Sequence, residues 1–135
     1  FPFPFTPLRL EDDRAMAEAY NGASVYVLAS WFEALSLPPL EAMACGTPVV
    51  LTDCGGVRDY ARPRENCLLC PPKCPDLLAG YILSVLREPQ LRSRLIEGGL
   101  RTASVWTWER YGDQLQDALT QIMQGRIEPE GGASV

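Results

Sequence analysis

The chain has 135 residues, which suits one domain with a buried core. Its 12 basic and 17 acidic residues give a net charge of -5, and no Lys/Arg run is present, which argues against binding nucleic acid or anionic lipid by charge. The sequence contains no stretch near the roughly 20 apolar residues of a membrane span and no recognisable secretory signal. Together with an odd number of cysteines, five, these features predict free thiols in a cytoplasmic protein.

The first half of the chain alternates helices with short apolar strands. Apolar residues at helical spacing predict a helix over residues 11–20. The β-branched, apolar segments 24–29 and 48–52 predict strands that are buried on both faces. Between them a pair of prolines, tolerated in a first turn, predicts the start of a helix over residues 38–44.

The second half continues this alternation. It predicts a short helix, a third strand and three further helices, over residues 57–61, 67–70, 76–87, 89–97 and 108–123. Strands that alternate with helices at this spacing predict an α/β domain with a partial Rossmann-like parallel sheet and flanking helices. We expect this domain to span residues 1–124, followed by a flexible tail over residues 125–135.

Two details of the later helices are explicit predictions. Asp76 is expected to be the N-cap of the helix that ends at Arg87. Its inward side chains are expected to be Leu77, Leu78, Ile82 and Leu86. Gly98-Gly99 is expected to end the following helix at Glu97, because glycine destabilises helix interiors.

Two carboxylates flank the junction between the first strand and the next helix. Glu33 and Glu41 are separated by seven residues. Ligands of open α/β sheets bind at the carboxyl ends of strands, where free backbone amides attract phosphate. The two prolines that begin the helix have no N–H, so the donors are expected to be the loop amides of Ala34, Leu35, Ser36 and Leu37.

The positions of the carboxylates narrow the class of ligand. A carboxylate placed against a diphosphate would repel it, but a carboxylate accepts hydrogen bonds from sugar hydroxyls. Two carboxylates on either side of an anion-binding loop therefore suit a ligand that carries hydroxyls on both sides of a diphosphate. A nucleotide sugar is such a ligand.

The motif and the segments that follow it resemble a known enzyme family. Residues 30–50 resemble the Glu-x7-Glu motif of the large retaining glycosyltransferase family (group 1, or family 4), which includes sucrose synthase-like enzymes and bacterial mannosyltransferases. Residues 52–59, 65–69 and 106–109 resemble later segments of the family in the same order, and the similarity extends from about residue 10 to 119. The chain resembles the carboxy-terminal, donor-binding part of such a two-Rossmann-domain, GT-B enzyme.

The resemblance implies a role for each part of the motif. Glu33 contacts hydroxyls of the donor sugar and is the expected catalytic residue, the amides of residues 34–37 hold the distal phosphate, and Glu41 binds the ribose diol. The implied reaction transfers a sugar from a nucleotide-diphosphate sugar, with retention of configuration and without a metal or other cofactor. The implied acceptor is a glycan or a lipid-linked molecule.

The chain departs from the family pattern in ways that bear on function. Ala34-Leu35-Ser36 replaces Gly-Phe-Gly, which removes two residues that adopt positive φ readily and allow close backbone approach. Cys67 replaces a common glycine. The Arg/Lys pair and the His that complete the family's site come from upstream and have no counterpart here. We therefore expect this chain to be inactive alone and to require a missing amino-terminal Rossmann domain, which would also make any membrane contact.

Other interpretations of these residues stay open. Glu33 and Glu41 can be surface acids, Gly55-Gly56 can be a turn that never meets ligand, and Arg58 can contact phosphate or solvent. Trp31 and Phe32 are expected in core or interdomain packing. The spacing of Cys67, Cys70 and Cys74, with Cys54, is compatible with a zinc site, although residues three apart on a strand face opposite sides.

Other functions also stay open. One alternative is a non-catalytic module that binds nucleotide sugars. A second is a related GT-B enzyme, either a nucleotide-sugar epimerase or a pyridoxal-phosphate-dependent phosphorylase. The phosphorylase needs a Schiff-base lysine, and the single lysine, Lys73, lies in a proline-rich bend that suits that role poorly.

Overall fold

The computed structural model describes residues 4–126. The chain forms two compact units, Phe1–Ser104 and Val105–Val135. Most of the predicted tail, from residue 127 onward, lies outside the described residues. No helix within residues 4–126 is both long enough and apolar enough to cross a membrane.

The first unit is a parallel sheet with helices around it. The strands are β1 (Tyr26–Leu28), β2 (Val49–Thr52) and β3 (Cys67–Cys70), in the order β1-β2-β3 and parallel throughout. The helices are α1 (Asp13–Gly22), α2 (Pro38–Ala44), α3 (Pro75–Arg87) and α4 (Pro89–Ala103), with a short 3-10 helix at Gly56–Asp59. The predicted α/β fold with a three-stranded parallel sheet is confirmed.

Two apolar clusters lie on opposite faces of the sheet, because successive strand residues face opposite sides. On β2, Val49 and Leu51 belong to the first cluster, whereas Val50 belongs to the second. The first cluster is completed mainly by α1, α2 and the 3-10 helix, and the second by α3 and the first half of α4. The central strand is buried on both faces as predicted, but β1 is only half-buried because it lies at an edge.

The inward face of α3 differs from the prediction. Cys74, not Asp76, is the N-cap residue, and Asp76 lies in the first turn. Leu77 and Leu86 are 41% and 48% exposed, while Val85 is fully buried. The side chains that pack on the second cluster are Leu78, Tyr81, Ile82 and Val85. This helix is apolar around most of its circumference, so spacing alone does not select one stripe.

The prediction that Gly98-Gly99 ends a helix is wrong. Helix α4 runs from Pro89 to Ala103 and passes through both glycines, which are buried. A Cβ at Gly98 would lie 2.1 Å from the carbonyl oxygen of Glu65, and one at Gly99 would lie 3.1 Å from a Met43 side-chain carbon. The glycines therefore allow close approach of the helix to its neighbours, which outweighs their helix propensity.

The second unit contains one described helix, α5 (Trp108–Met123), as predicted. Thr107 caps its amino end, since the Thr107 side chain accepts a hydrogen bond from the Arg110 amide. Trp108 and Tyr111 make an edge-to-face ring contact within the helix.

Candidate functional site

The loops that follow the three strands meet at the carboxyl end of the sheet, because parallel strands end on the same side. Glu33, in the loop between β1 and α2, forms an isolated parallel bridge with Gly55 after β2. Lys73, in the bend after β3, places its Nζ 4.6 Å from the centroid of the Trp31 ring. The candidate site is therefore built on the segment from Ser30 to Leu37, which we call the 30–37 loop.

Glu33 is fixed through both its backbone and its side chain. Its amide donates to the Cys54 carbonyl at 2.8 Å, and its carbonyl accepts from the Gly56 amide at 2.9 Å. Ser30 Oγ donates to Glu33 Oε1 at 2.7 Å. The carboxylate is half-buried, and within residues 4–126 its Oε2 accepts no hydrogen bond. One carboxylate oxygen thus stays available to a ligand while the other is oriented.

The Gly-Gly turn is required by this contact. Gly55 has a φ of 101°, a conformation that side-chain-bearing residues rarely adopt. A Cβ at Gly56 would lie 1.8 Å from the Ala34 carbonyl oxygen, closer than any packing allows. The need for both glycines is therefore explained by the turn's contact with the 30–37 loop, without any ligand.

The amides of the 30–37 loop differ from its carbonyls in their hydrogen bonding. Within the described part of the chain, the amides of residues 34–37 donate no hydrogen bond to backbone or side chain. The loop is held from its carbonyl side instead, since Tyr60 Oη donates to the Ser36 carbonyl at 2.8 Å. Buried N–H groups normally have a partner, and of the four residues Ser36 is buried at 4% exposure while Ala34, Leu35 and Leu37 are exposed. Unpaired amides beside paired carbonyls make the loop a donor surface.

The replacement of two family glycines does not strain this loop. Among residues 4–126, the non-glycine residues with positive φ are Arg64 and Lys73. Ala34 and Ser36 therefore have φ values that any residue adopts. The chain therefore forms the loop without the conformational freedom that the two glycines would supply.

Glu41 is oriented by a tyrosine from α1. The Tyr20 hydroxyl donates to Glu41 Oε2 at 3.0 Å. Burial, followed by the hydrogen bond and the charge of Glu41, raises the pKa of Tyr20 well above its usual value, so the hydroxyl keeps its proton and stays a donor. Glu41 is exposed in the first turn of α2.

The structure bears on two of the open interpretations. Arg58 donates to Asp53 through Nε at 2.6 Å and through Nη2 at 2.9 Å, and this pairing lowers the pKa of the Asp53 carboxyl. Its guanidinium is thus engaged with a turn carboxylate. Trp31 and Phe32 are 69% and 80% exposed, so core packing is wrong for both, and interdomain packing stays a prediction.

The cysteines show no sign of a metal site. All five are free thiols, and Cys54, Cys67 and Cys70 are buried. Burial raises the pKa of the Cys67 thiol to about 12, which keeps it protonated and unreactive. Over residues 4–126 no three His, Cys, Asp or Glu side chains are grouped to hold a metal ion, so the zinc interpretation has no support.

Sequence reasoning missed the groups that orient the site. Ser30, Tyr20 and Tyr60 each place a hydroxyl on the 30–37 loop or a carboxylate, and Lys73 contacts Trp31. Ser30 precedes Glu33 by three residues, a spacing at which a hydroxyl reaches a side chain in a tight loop, and this signal was present. The tyrosines are 21 and 24 positions from their partners, so only the tertiary fold connects them.

Comparison with known proteins gives the family. Residues 7–102 match the model of the family described as glycosyl transferases group 1. A D-inositol 3-phosphate glycosyltransferase of Thermomonospora curvata is 35% identical over 105 residues, which is 78% of this chain and 24% of that protein. The chain thus spans about a quarter of the length of the curated relatives it matches.

Solved structures agree. The sucrose-phosphate synthase of Thermosynechococcus elongatus superposes with a TM-score of 0.79 at 31% identity, covering 87% of this chain and 30% of the other. The C-terminal domain of a glycosyl transferase group 1 family protein from Francisella tularensis superposes with a TM-score of 0.67 at 25% identity, covering 74% of this chain and 51% of the other. This chain belongs to the group 1 glycosyltransferases, and its fold is that of part of a GT-B enzyme.

Proposed function

We propose that this chain supplies part of the donor site of a retaining glycosyltransferase that uses a nucleotide-diphosphate sugar. The observation that carries the proposal is the 30–37 loop, where unpaired amides lie in sequence between two carboxylates that neighbouring hydroxyls orient. Phosphate is the ligand that such amides favour, and sugar hydroxyls are the ligands that such carboxylates favour. The family membership supports the same assignment.

Each group has a defined part in the proposed chemistry. The amides of Ala34, Leu35, Ser36 and Leu37 hold the distal phosphate and stabilise the negative charge that develops on the leaving diphosphate. Glu33 accepts hydrogen bonds from the donor sugar and so fixes the anomeric carbon relative to the acceptor. Glu41 accepts from the ribose diol. Neither carboxylate faces the diphosphate in this arrangement, which avoids repulsion between like charges.

The remaining positive charge of the site is proposed to come from an amino-terminal Rossmann domain. The chain has a net charge of -5, and Arg58 is already paired with Asp53. The acceptor is proposed to be a glycan or lipid-linked molecule, and the relatives named D-inositol 3-phosphate glycosyltransferase add a phosphorylated polyol as a candidate. The proposed reaction uses neither a cofactor nor a metal ion.

The test separates the two carboxylates. Glu41→Ala should weaken the binding of free UDP, GDP or ADP, whichever binds the chain, because the ribose is common to donor and product. Glu33→Gln should leave that affinity nearly unchanged, since the free nucleotide has no sugar for Glu33 to hold. Glu97→Gln, at an exposed position on α4, is the matched control. Titration calorimetry measures all three variants.

Turnover completes the test in the protein that carries both Rossmann domains. Charge-assisted hydrogen bonds contribute about 1.5–3 kcal/mol, so Glu33→Gln should lower kcat/KM for the donor about tenfold to a hundredfold. Equal losses of nucleotide affinity for both variants would show that the division of roles is wrong. Unchanged binding and turnover in both would make the two carboxylates ordinary surface acids. Donor binding without any turnover would favour the non-catalytic module.

A further inference from the structure

Glu41 poses a physical problem for the role proposed above. It is an exposed side chain at the start of a helix, where a glutamate samples several rotamers. Fixing such a side chain on ligand binding costs up to roughly 1.5–2 kcal/mol of conformational entropy. A carboxylate binds a diol more tightly if its side chain is already ordered before the ligand arrives.

Tyr20 is placed to order the Glu41 side chain before a ligand binds. Its ring lies in the core at 9% exposure, and it makes an edge-to-face contact with Tyr26 at a centroid distance of 5.8 Å. Its own backbone is tied down as well, because Thr47 Oγ1 donates to the Tyr20 carbonyl at 2.6 Å in a buried setting. The hydroxyl that reaches Glu41 Oε2 at 3.0 Å is therefore on a rigid support.

The geometry leaves the second carboxylate oxygen for the ligand. Tyr20 engages Oε2, and within residues 4–126 no donor reaches Oε1 of Glu41. We infer that Tyr20 is a positioning residue that holds Glu41 in the rotamer that receives the ribose diol, and thereby favours ribonucleotides. This inference rests on the proposed function, because it assigns Glu41 to the ribose. Tyr20 itself touches no ligand.

The experiment compares each nucleoside diphosphate with its 2′,3′-dideoxy analogue, which has no diol. The probes are UDP, GDP and ADP and their dideoxy forms, titrated into the 135-residue chain by calorimetry. Tyr20→Phe should lower the affinity for the ribonucleotide about three- to tenfold and leave the affinity for the dideoxy form unchanged. The control is Tyr26→Phe, which removes the hydroxyl of the other ring in the pair. That hydroxyl makes no hydrogen bond within residues 4–126, so neither affinity should change.

A double-mutant cycle makes the test independent of folding. In the Glu41→Ala background, Tyr20→Phe should have no further effect on ribonucleotide affinity, because its only route to the ligand has been removed. A loss that is equal for ribose and dideoxy probes, or that persists in the Glu41→Ala background, would show a merely structural role and overturn the inference. No change at all on Tyr20→Phe would overturn it too.

Failure of the proposed function gives a different pattern. If Glu41→Ala itself leaves the preference for ribose over dideoxyribose intact, Glu41 does not bind the diol and the proposed function fails at this residue. If none of the three nucleotides binds, the donor-site assignment fails as a whole, and the inference fails with it. If Glu41→Ala abolishes the preference and Tyr20→Phe does not reduce it, only the inference about Tyr20 is wrong.

Discussion

The 30–37 loop and the segment from Asp53 to Asn66 lie beside each other, but they differ in how far their polar groups have hydrogen-bond partners. In the second segment, Asn66 accepts from the Arg62 amide and donates to the Tyr60 carbonyl and to Thr102 Oγ1, and Asp53 pairs with Arg58. In the 30–37 loop, four consecutive amides have no partner within the described chain. One region thus has the polar side chains of Asp53, Arg58 and Asn66 paired, and it holds the other in a shape in which consecutive amides stay unpaired.

The difference shows where the shape of the candidate site originates. A loop with unpaired amides would relax toward solvent or toward itself if nothing held it. Here the Gly55-Gly56 turn holds Glu33, and Tyr60 holds the Ser36 carbonyl. Substitutions that remove either of these two contacts should therefore damage binding, although neither the turn glycines nor Tyr60 is proposed to contact ligand.

The largest effect is expected from Gly56→Ala, paired with Gly98→Ala as its control. Both add a Cβ against a backbone carbonyl, at 1.8 Å and 2.1 Å, so each should destabilise the fold on the order of 3 kcal/mol. Only Gly56 packs on the 30–37 loop. Urea denaturation should give similar losses, whereas nucleoside diphosphate affinity, measured where both variants are folded, should fall at least about tenfold for Gly56→Ala alone. Similar affinities for the two variants would contradict the supporting role of the turn.

A smaller effect is expected from Tyr60→Phe, which removes the hydrogen bond to the Ser36 carbonyl and keeps the ring. The Ser36 carbonyl loses its donor, which should cost about 1 kcal/mol of stability. Nucleotide affinity should fall several-fold, because the loop that carries the amides gains freedom. The control is Tyr81→Phe, a half-buried tyrosine in the cluster on the other face of the sheet. An affinity loss in the control as large as in Tyr60→Phe would remove the case for a specific role.

The smallest effect is expected from Arg58→Ala, and it appears in acid. Arg58 lowers the pKa of Asp53, so the pair stabilises the folded state above the ordinary aspartate pKa of about 4 and loses this contribution as the pH falls through the lowered value. Arg58→Ala should flatten that part of the acid dependence in urea denaturation at pH 5 and pH 3. Nucleotide affinity at neutral pH should not change. A marked fall in affinity would mean that Arg58 leaves Asp53 to bind phosphate.

The sequence predicts the fold well where one physical effect dominates. The strand over Cys67–Cys70 and the helix over Pro38–Ala44 have the bounds that the apolar run and the proline pair predict. Prediction fails where local propensity competes with packing, as at Gly98, whose cost within a helix is outweighed by the close approach of Glu65. It also fails on α3, since only the position of the sheet decides which of several apolar stripes faces inward.

The candidate site divides in the same way. Glu33, Glu41 and the loop amides follow from the strand–loop–helix pattern, and their proposed roles await the experiments above. The hydroxyls of Tyr20 and Tyr60 could not be predicted, because a sequence separation of more than 20 residues carries no local signal. Core packing was also the wrong alternative for Trp31, since an aromatic residue beside a buried strand is more often packed inside; interdomain packing stays a prediction.

The contact between Lys73 and Trp31 also gives the site a position for selective chemical labelling. Lys73 is the single lysine of the chain, so its side chain is the one ε-amine that an acylating reagent can modify. It is exposed, and its ammonium lies over an indole whose emission is sensitive to a nearby charge. A reporter group attached there would stand at the rim of the 30–37 loop, and its neighbouring fluorophore is already built in.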